Sequence, residues 1–248
     1  MHLSLSLSPC GSSWLPWPKP PPLSLLPRPV LWRFPRVAAP SRRPAAPLFP
    51  PPSPVRPAEL RIDVDPPAAT LEDELAALHR RLHTPGDRLH GIDRMPLFTD
   101  PDLVVHYREA DGESYVYIED LRRGCLAGTT VFNRLVELNR QADRHLRAPH
   151  SRYAPAYQRR GLATAVYRWA LDGGMCLITG ARQSPGAHAL WDRLACEHLS
   201  GYVRVQDKAL TYLGPAVSPP VRDALQTRRF LLGRRWTLAR LQAATGMR

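Results

Sequence analysis

The proline content of the first 58 residues limits folding more than any other feature of this sequence. The segment holds 17 of the 28 prolines, including runs of three at residues 20–22 and 50–52. Proline removes a backbone hydrogen-bond donor and breaks both helices and central strands. We therefore predict that residues 1–66 form an extended, solvated tail and that the 248-residue chain contains one folded domain.

The charge distribution argues against a nucleic-acid-binding core. The chain has a formal net charge of +12, of which the proline-rich residues 1–58 supply +7, because they contain seven basic side chains and no acidic one. The remaining residues carry only +5. Nucleic acid is therefore not the expected partner. A membrane is not expected either, since no run approaches the roughly 18 apolar residues of a spanning helix.

Cysteine usage and the N-terminal composition bear on localisation. The four cysteines lie far apart with no CxxC pair, which is typical of free thiols in a reducing compartment. We expect a cytoplasmic protein. The basic, proline-rich N-terminus also fits an organelle-targeting or export segment, and this alternative stays open.

Hydrophobic periodicity predicts one mixed α/β domain of α+β type. Four leucines share a helix face after Thr70, and Asp111-Gly112 is a strong hairpin-turn signal. We place the domain at residues 67–214, followed by a basic, helical extension at 215–248. The pattern predicts a helix from residue 70, strands at 103–108, 114–119 and 125–138, a helix at 162–171, a strand at 175–178, a helix at 185–196, and strands at 202–205 and 209–213.

The segment before the helix at 162–171 is the most informative for chemistry. The first amides of a helix lack intrahelical partners and carry the positive end of the helix dipole, so they attract anions. Gly161 would let the backbone approach a bulky ligand, while Arg159 and Arg160 add positive charge. The segment matches neither a nucleotide P-loop nor a GxGxxG motif. It therefore predicts an anion-binding loop at residues 158–164.

This loop resembles a known family signature. Gln158-x-x-Gly161-x-Ala163 matches Q/R-x-x-G-x-G/A, the motif of the GNAT superfamily of N-acetyltransferases, and Pro155-x-Tyr157 matches a common lead-in. The resemblance covers about residues 70–213. It implies a central, mostly antiparallel sheet flanked by helices. It also implies direct transfer of an acetyl group from acetyl-CoA, as cosubstrate, to a primary amine of a small molecule or a protein.

The resemblance also assigns roles to residues. Tyr153 would line the gap that receives the cosubstrate, and the general base is sought among Glu137, Glu119 and His150. We expect no metal, and His188 and His198 are expected to have surface or packing roles. The residues implied to bind the pyrophosphate of acetyl-CoA are Gln158, Arg159, Arg160, Gly161, Leu162, Ala163 and Thr164.

Two departures from the family pattern keep other functions open. The strand before the loop, residues 147–152, is polar and contains Pro149, which argues against regular pairing. Trp191 occupies the place of a family tyrosine that protonates the CoA thiolate, so water, Tyr157 or Tyr167 would have to serve. The alternatives are a non-catalytic GNAT-like module that binds a polyanion or protein partner, and an exported effector.

Overall fold

The computed structural model describes residues 68–248, so the predicted tail at residues 1–66 lies outside the described part of the chain. The helices are α1 (Ala68–His83), α2 (Arg140–Asp143), α3 (Leu162–Asp172), α4 (Pro185–Ala195), α5 (Pro219–Arg222) and α6 (Leu238–Thr245). The strands are β1 (Asp93–Met95), β2 (Leu103–Ala110), β3 (Glu113–Asp120), β4 (Cys125–Asn133), β5 (Leu146–Tyr153), β6 (Cys176–Ile178), β7 (Ser200–Gln206), β8 (Ala209–Gly214) and β9 (Thr227–Leu231).

These strands form one sheet in the order β1-β2-β3-β4-β5-β6-β9-β7-β8. Every neighbouring pair is antiparallel except β5 and β6, which run parallel. The predicted fold class is therefore confirmed: a mixed α+β domain with a mostly antiparallel sheet flanked by helices.

The β2–β3 hairpin follows from its turn residues. Ala110 pairs with Glu113, which leaves Asp111 and Gly112 as a two-residue turn with φ values of 54° and 78°. Two consecutive left-handed residues give the turn the twist that a tight hairpin needs, and Asp-Gly adopts that conformation readily. The hairpin sets the alternation of β3, so that Ile118 and Glu119 point to opposite faces of the sheet.

Helices cover both faces of the sheet. Residues of α3 and α4 pack with Val116 and Ile118 in one core cluster. On the opposite face, α1 packs Leu75 and Leu82 against Tyr117. On that same side of the other half of the sheet, α2 and α6 contact residues of β6, β7 and β9. The loop between β5 and α3 therefore joins the sheet to the layer formed by α3 and α4.

Strand β5 pairs despite its polar sequence and Pro149. It registers with β4 from Ala148 through Tyr153, and Pro149 lies opposite Phe132. From Ala148 onward β5 has a strand partner on one side only, so this part behaves as an edge, where proline is tolerated. The prediction that this strand does not pair regularly is therefore wrong for its pairing with β4.

Residues 215–248 supply more than a helical extension. They contain β9, which inserts between β6 and β7, and then α6, whose Leu241 is buried. Phe230 of β9 is fully buried and pairs with Ile178 and Gly201. The last part of the chain is therefore integral to the sheet.

None of the helices described between Ala68 and Arg248 is long and apolar enough to cross a membrane.

Candidate active site

The sheet opens beside the C-terminal half of β5. Strands β5 and β6 pair only at Leu146 with Cys176 and at Arg147 with Leu177. Strand β5 then continues to Tyr153 and, among the strands described between residues 68 and 248, pairs there with β4 alone. We call the opening beside residues 148–153 the β5 gap. It exposes a strand edge that an extended ligand can use for hydrogen bonding.

The β5 gap ends at a loop with an unusual backbone. Gln158 donates a hydrogen bond from Nε2 to the Tyr153 carbonyl oxygen at 3.0 Å, which ties the loop to the strand end. Arg159 and Gly161 both adopt left-handed conformations, with φ values of 57° and 81°. Such a conformation costs a non-glycine residue about 1–3 kcal/mol and is concentrated at functional sites. The loop therefore holds Arg159 in a backbone conformation that an arginine would not favour by itself.

The loop delivers free amides to the start of α3. Gly161 is the N-cap residue and provides no side-chain cap. The first backbone bond into the helix is from Ala165 N–H to the Gly161 carbonyl oxygen. Within the described chain, the amides of Leu162, Ala163 and Thr164 have no assigned acceptor. A Cβ atom added at Gly161 would meet no atom within 4 Å, so the space beside the N-cap residue is open.

Positive charge surrounds this helix end. Arg159 and Arg160 are both exposed. The guanidinium carbon of Arg160 lies 5.3 Å from the centre of the Tyr157 ring, and that of Arg123 lies 5.5 Å from it. Together with the helix dipole, these groups make the electrostatic potential at the loop positive, which favours an anion there.

Tyr157 anchors the loop rather than facing a ligand. Its side chain is buried and its hydroxyl donates to Asp120 Oδ2 at 2.8 Å. Burial raises its pKa, and hydrogen bonds with Cys125 and Asp120 raise it further. Because its proton is already bound to Asp120, Tyr157 is poorly placed to protonate a leaving group.

A chain of hydroxyl groups lies on the α3 side of β5. Tyr153 Oη is 3.0 Å from Thr130 Oγ1, which is 2.7 Å from Ser151 Oγ. Ser151 donates to Tyr167 Oη at 3.2 Å. Each hydroxyl has one proton, and that of Ser151 is donated to Tyr167. Thr130 must therefore donate to Ser151, and Tyr153 must donate to Thr130. The Tyr167 proton is left without an assigned acceptor among the described residues.

Tyr167 itself is buried on α3, 5% exposed. Burial raises its pKa to about 12, so it is protonated at neutral pH. Its ring lies edge-on to that of Trp191, with centroids 6.4 Å apart. Trp191 is 3% exposed and belongs to the core between the helices and the sheet.

The three candidate bases occupy different places. His150 is exposed on β5, on the same strand as Tyr153 and on the opposite face from Ser151. Partial desolvation lowers its pKa, and repulsion from Arg152 lowers it further, so the imidazole is neutral at pH 7 and able to accept a proton.

Glu137 lies away from the loop. It follows β4, whose last residue, Asn133, pairs with Ala148 at the far end of the β5 gap. Its carboxylate oxygens are 3.3 and 3.4 Å from a guanidinium nitrogen of Arg228, a buried side chain of β9. Glu137 therefore neutralises a buried cation.

Glu119 lies two strands away from β5, on the face covered by α1. It is 2% exposed and is bonded by three histidines. His79 Nε2 and His83 Nε2 lie 3.0 and 2.6 Å from Oε1, and His106 Nε2 lies 2.7 Å from Oε2. Burial alone would raise the Glu119 pKa, but these hydrogen bonds lower it.

The structure thus joins Tyr153 to the loop, places His150 three residues earlier on the opposite face of the same strand, and leaves Glu137 and Glu119 in other surroundings. The histidine cluster around Glu119 was not expected. The sequence contains one signal for it, the four-residue spacing of His79 and His83 on a predicted helix. The expectation of no metal site did not take this spacing into account. His106 had no comparable signal, because only the pairing of β2 with β3 brings it to Glu119.

No family model and no curated protein match this chain. Among solved structures, it is similar to a chimera of spermidine N-acetyltransferase SpeG from Vibrio cholerae with hSSAT. The two share 18% identity and a TM-score of 0.29, over 49% of this chain and 68% of that chain. A point mutant of the same SpeG shows 19% identity and a TM-score of 0.30, over 50% and 66%. The β5 gap and its loop carry the functional inference below.

Proposed function

We propose that this chain is an N-acetyltransferase that moves an acetyl group from acetyl-CoA to a primary amine by direct attack. The observation that carries the proposal is the β5 gap, which opens beside a free strand edge and ends at an open, positively charged helix N-terminus. Acetyl-CoA has a pyrophosphate at one end of an arm rich in amides and a thioester at the other. One ligand of that form would use all three features.

The loop and the strand would share the binding. The amides of Leu162, Ala163 and Thr164, with Arg159 and Arg160 nearby, would hold the pyrophosphate. The free edge of β5 would pair with the amides of the arm, in the way an added strand does. Tyr153 lies where β5 turns into the loop; its ring packs over Gly128 of β4, and its hydroxyl is held by Thr130.

The chain's own groups would manage two protons. When the amine nitrogen forms its bond to the acetyl carbon, the carbon–sulfur bond breaks, and the electron pair stays on sulfur. His150, neutral at pH 7, would take the proton from the amine. Tyr167 would give its proton to the sulfur and could regain one through Ser151. Glu137 and Glu119 remain candidates by residue type, but their present partners make His150 the better base.

The proposal is tested with acetyl-CoA, CoA and a panel of primary amines that includes spermidine. Acetyl-CoA and CoA should each raise the melting temperature, because both bind the native state alone. Release of free thiol that requires an amine would establish transfer. Absence of both stabilisation and thiol release would contradict the proposal.

Tyr167→Phe tests the proposed acid. The variant should lower kcat by about 100-fold or more, the usual contribution of a positioned acid. The melting shift caused by CoA should be unchanged, since the ring and its packing remain. The matched control is Tyr202→Phe, because Tyr202 lies on β7 and its ring contacts Arg229. Equal kcat in wild type and Tyr167→Phe would show that Tyr167 is not the acid.

A second candidate is a non-catalytic module that uses the same loop to bind a polyanion or a protein partner. Trp191 favours it, because indole nitrogen cannot protonate a thiolate. Stabilisation by CoA without thiol release over the whole panel would favour this module. Salt-sensitive binding of RNA without stabilisation by CoA would identify a polyanion-binding protein.

A further inference from the structure

Three donor atoms from two distant segments converge on the α1 face of the sheet. They are His79 Nε2, His83 Nε2 and Glu119 Oε1, and all lie within 4.8 Å of one another. We propose that these three residues bind one divalent transition-metal ion, with Zn²⁺ as the best match. The site is separate from the β5 gap and does not depend on acetyl transfer.

The helix places its two histidines by simple periodicity. Residues four apart lie on one face of a helix, so His79 and His83 of α1 point the same way, with ring centroids 4.7 Å apart. The leucines Leu75 and Leu82 bury that side of α1 against the sheet. The histidines are therefore held over the strand that carries Glu119. Two histidines at this spacing on one helix face are a recurring zinc-binding arrangement.

The strand contributes a buried anion. The Glu119 side chain is 2% exposed, whereas those of His79 and His83 are 22% and 47% exposed. A buried carboxylate is costly unless hydrogen bonds or a cation compensate it. Here the half-buried imidazole of His79 and the exposed imidazole of His83 meet on the same oxygen, Oε1, so the cluster reaches solvent on the side of His83. An ion entering from that side would meet all three donors.

His106 has a different role from the other two histidines. It is 4% exposed, and its Nε2 lies 2.7 Å from the second carboxylate oxygen, Oε2. It therefore fixes the orientation of Glu119 while leaving Oε1 toward the helix. Ligating carboxylates in metal sites are usually held by hydrogen bonds of this kind. We infer that His106 positions the ligand Glu119.

The donor set selects the metal class. Imidazole nitrogen suits zinc, copper, nickel and iron, and two imidazoles with one carboxylate make a known set for zinc with an open fourth position. Bonds of about 2.0–2.1 Å in a tetrahedral site place neighbouring donor atoms about 3.3 Å apart. The observed separations of 3.0 and 2.6 Å from Oε1 are shorter than this, and the two imidazole nitrogens lie within 4.8 Å of each other, so both imidazoles must move to receive the ion.

The expected consequence is mechanical. An ion held by α1 and β3 would fasten the first helix to the sheet, since His79 and His83 belong to one element and Glu119 to the other. Zinc hydrolases with two helical histidines carry a glutamate directly after the first one, and this chain has Arg80 there. We therefore assign the ion to binding and stability and not to hydrolysis.

The test uses the full chain without an affinity tag, stripped with a chelator and titrated with Zn²⁺ by calorimetry and with Co²⁺ by visible absorption. One equivalent of either ion should bind per chain, and zinc should raise the melting temperature. His79→Ala and His83→Ala should each lose this binding while keeping the far-ultraviolet circular dichroism of the wild type. Because Glu119 is buried, it is replaced by Gln and not by Ala. Glu119→Gln keeps the shape of the side chain and removes its negative charge.

Two further variants separate the site from general histidine binding. His106→Gln should weaken zinc binding by about 10- to 100-fold, the usual effect of losing a group that holds a ligand. The matched control is His90→Ala, an exposed histidine outside the cluster, which should bind zinc as the wild type does. Less than one equivalent bound, equal binding by His83→Ala, or a thiolate charge-transfer band with Co²⁺ would each overturn the proposal.

Discussion

Gly161→Glu is expected to abolish the stabilisation by acetyl-CoA while leaving the apo fold nearly unchanged. The new side chain would enter the open space before the α3 amides and place a negative charge where the pyrophosphate would bind. In the wild type, ligand at about 100 times its Kd should add roughly 2.7 kcal/mol to stability. For a domain of this size that is a melting shift of roughly 5–10 °C.

The matched control for this variant is Gly86→Glu. Gly86 has φ of 86°, close to the 81° of Gly161, and a Cβ atom added there also meets no atom within 4 Å. Both substitutions therefore impose a similar backbone strain, but only one lies in the loop. Gly86→Glu should lose a little stability and keep the full shift with acetyl-CoA. A full shift in Gly161→Glu would place the cosubstrate elsewhere.

The elements that the sequence predicts well are those whose signals are local. The Asp111-Gly112 turn defines the first hairpin, and Ser184 caps α4 by accepting a hydrogen bond from the Ala187 amide. Helix α3 begins at the glycine of the loop motif and ends near Gly173. In each case the determining residues lie within a few positions of the boundary that they set.

The elements that were missed depend on distant partners. Strand β9 has Arg228 and Arg229 at its centre, and it forms because β6 and β7 accept it between them. The polar β5 pairs with β4 from Ala148 through Tyr153, with Phe132 opposite Pro149. No periodicity within either segment reports these neighbours.

The same distinction applies to the candidate sites. The anion loop lies within seven consecutive residues, so its residue types and its helix start can be predicted together. The hydroxyl chain from Tyr153 to Tyr167 needs Thr130 from another strand, and the histidine cluster needs α1, β2 and β3. Within the histidine cluster, sequence spacing contains a signal only for His79 and His83, which lie four residues apart on α1.

Trp191→Ala is expected to cause the largest loss of stability, about 3–5 kcal/mol, the usual cost of deleting a buried tryptophan. The side chain is 3% exposed and packs in the core with the α3 side of the sheet. Its ring also meets Tyr167 edge-on. Chemical denaturation without ligand would measure the loss. The dependence of the free energy of unfolding on denaturant concentration should stay the same if only packing is removed.

Two further variants show whether Trp191 has a structural or a chemical role. Trp169→Ala removes a half-buried tryptophan from α3 and should cost less, because part of its surface already faces water. Trp191→Phe keeps an aromatic ring in the core and should retain most of the stability and whatever turnover the wild type has. If Trp191→Phe were fully stable yet inactive, the indole would be needed for the reaction. Because the Trp191 ring packs edge-on against Tyr167, that result would mean that the indole holds the proposed acid in place and that its role is more than core packing.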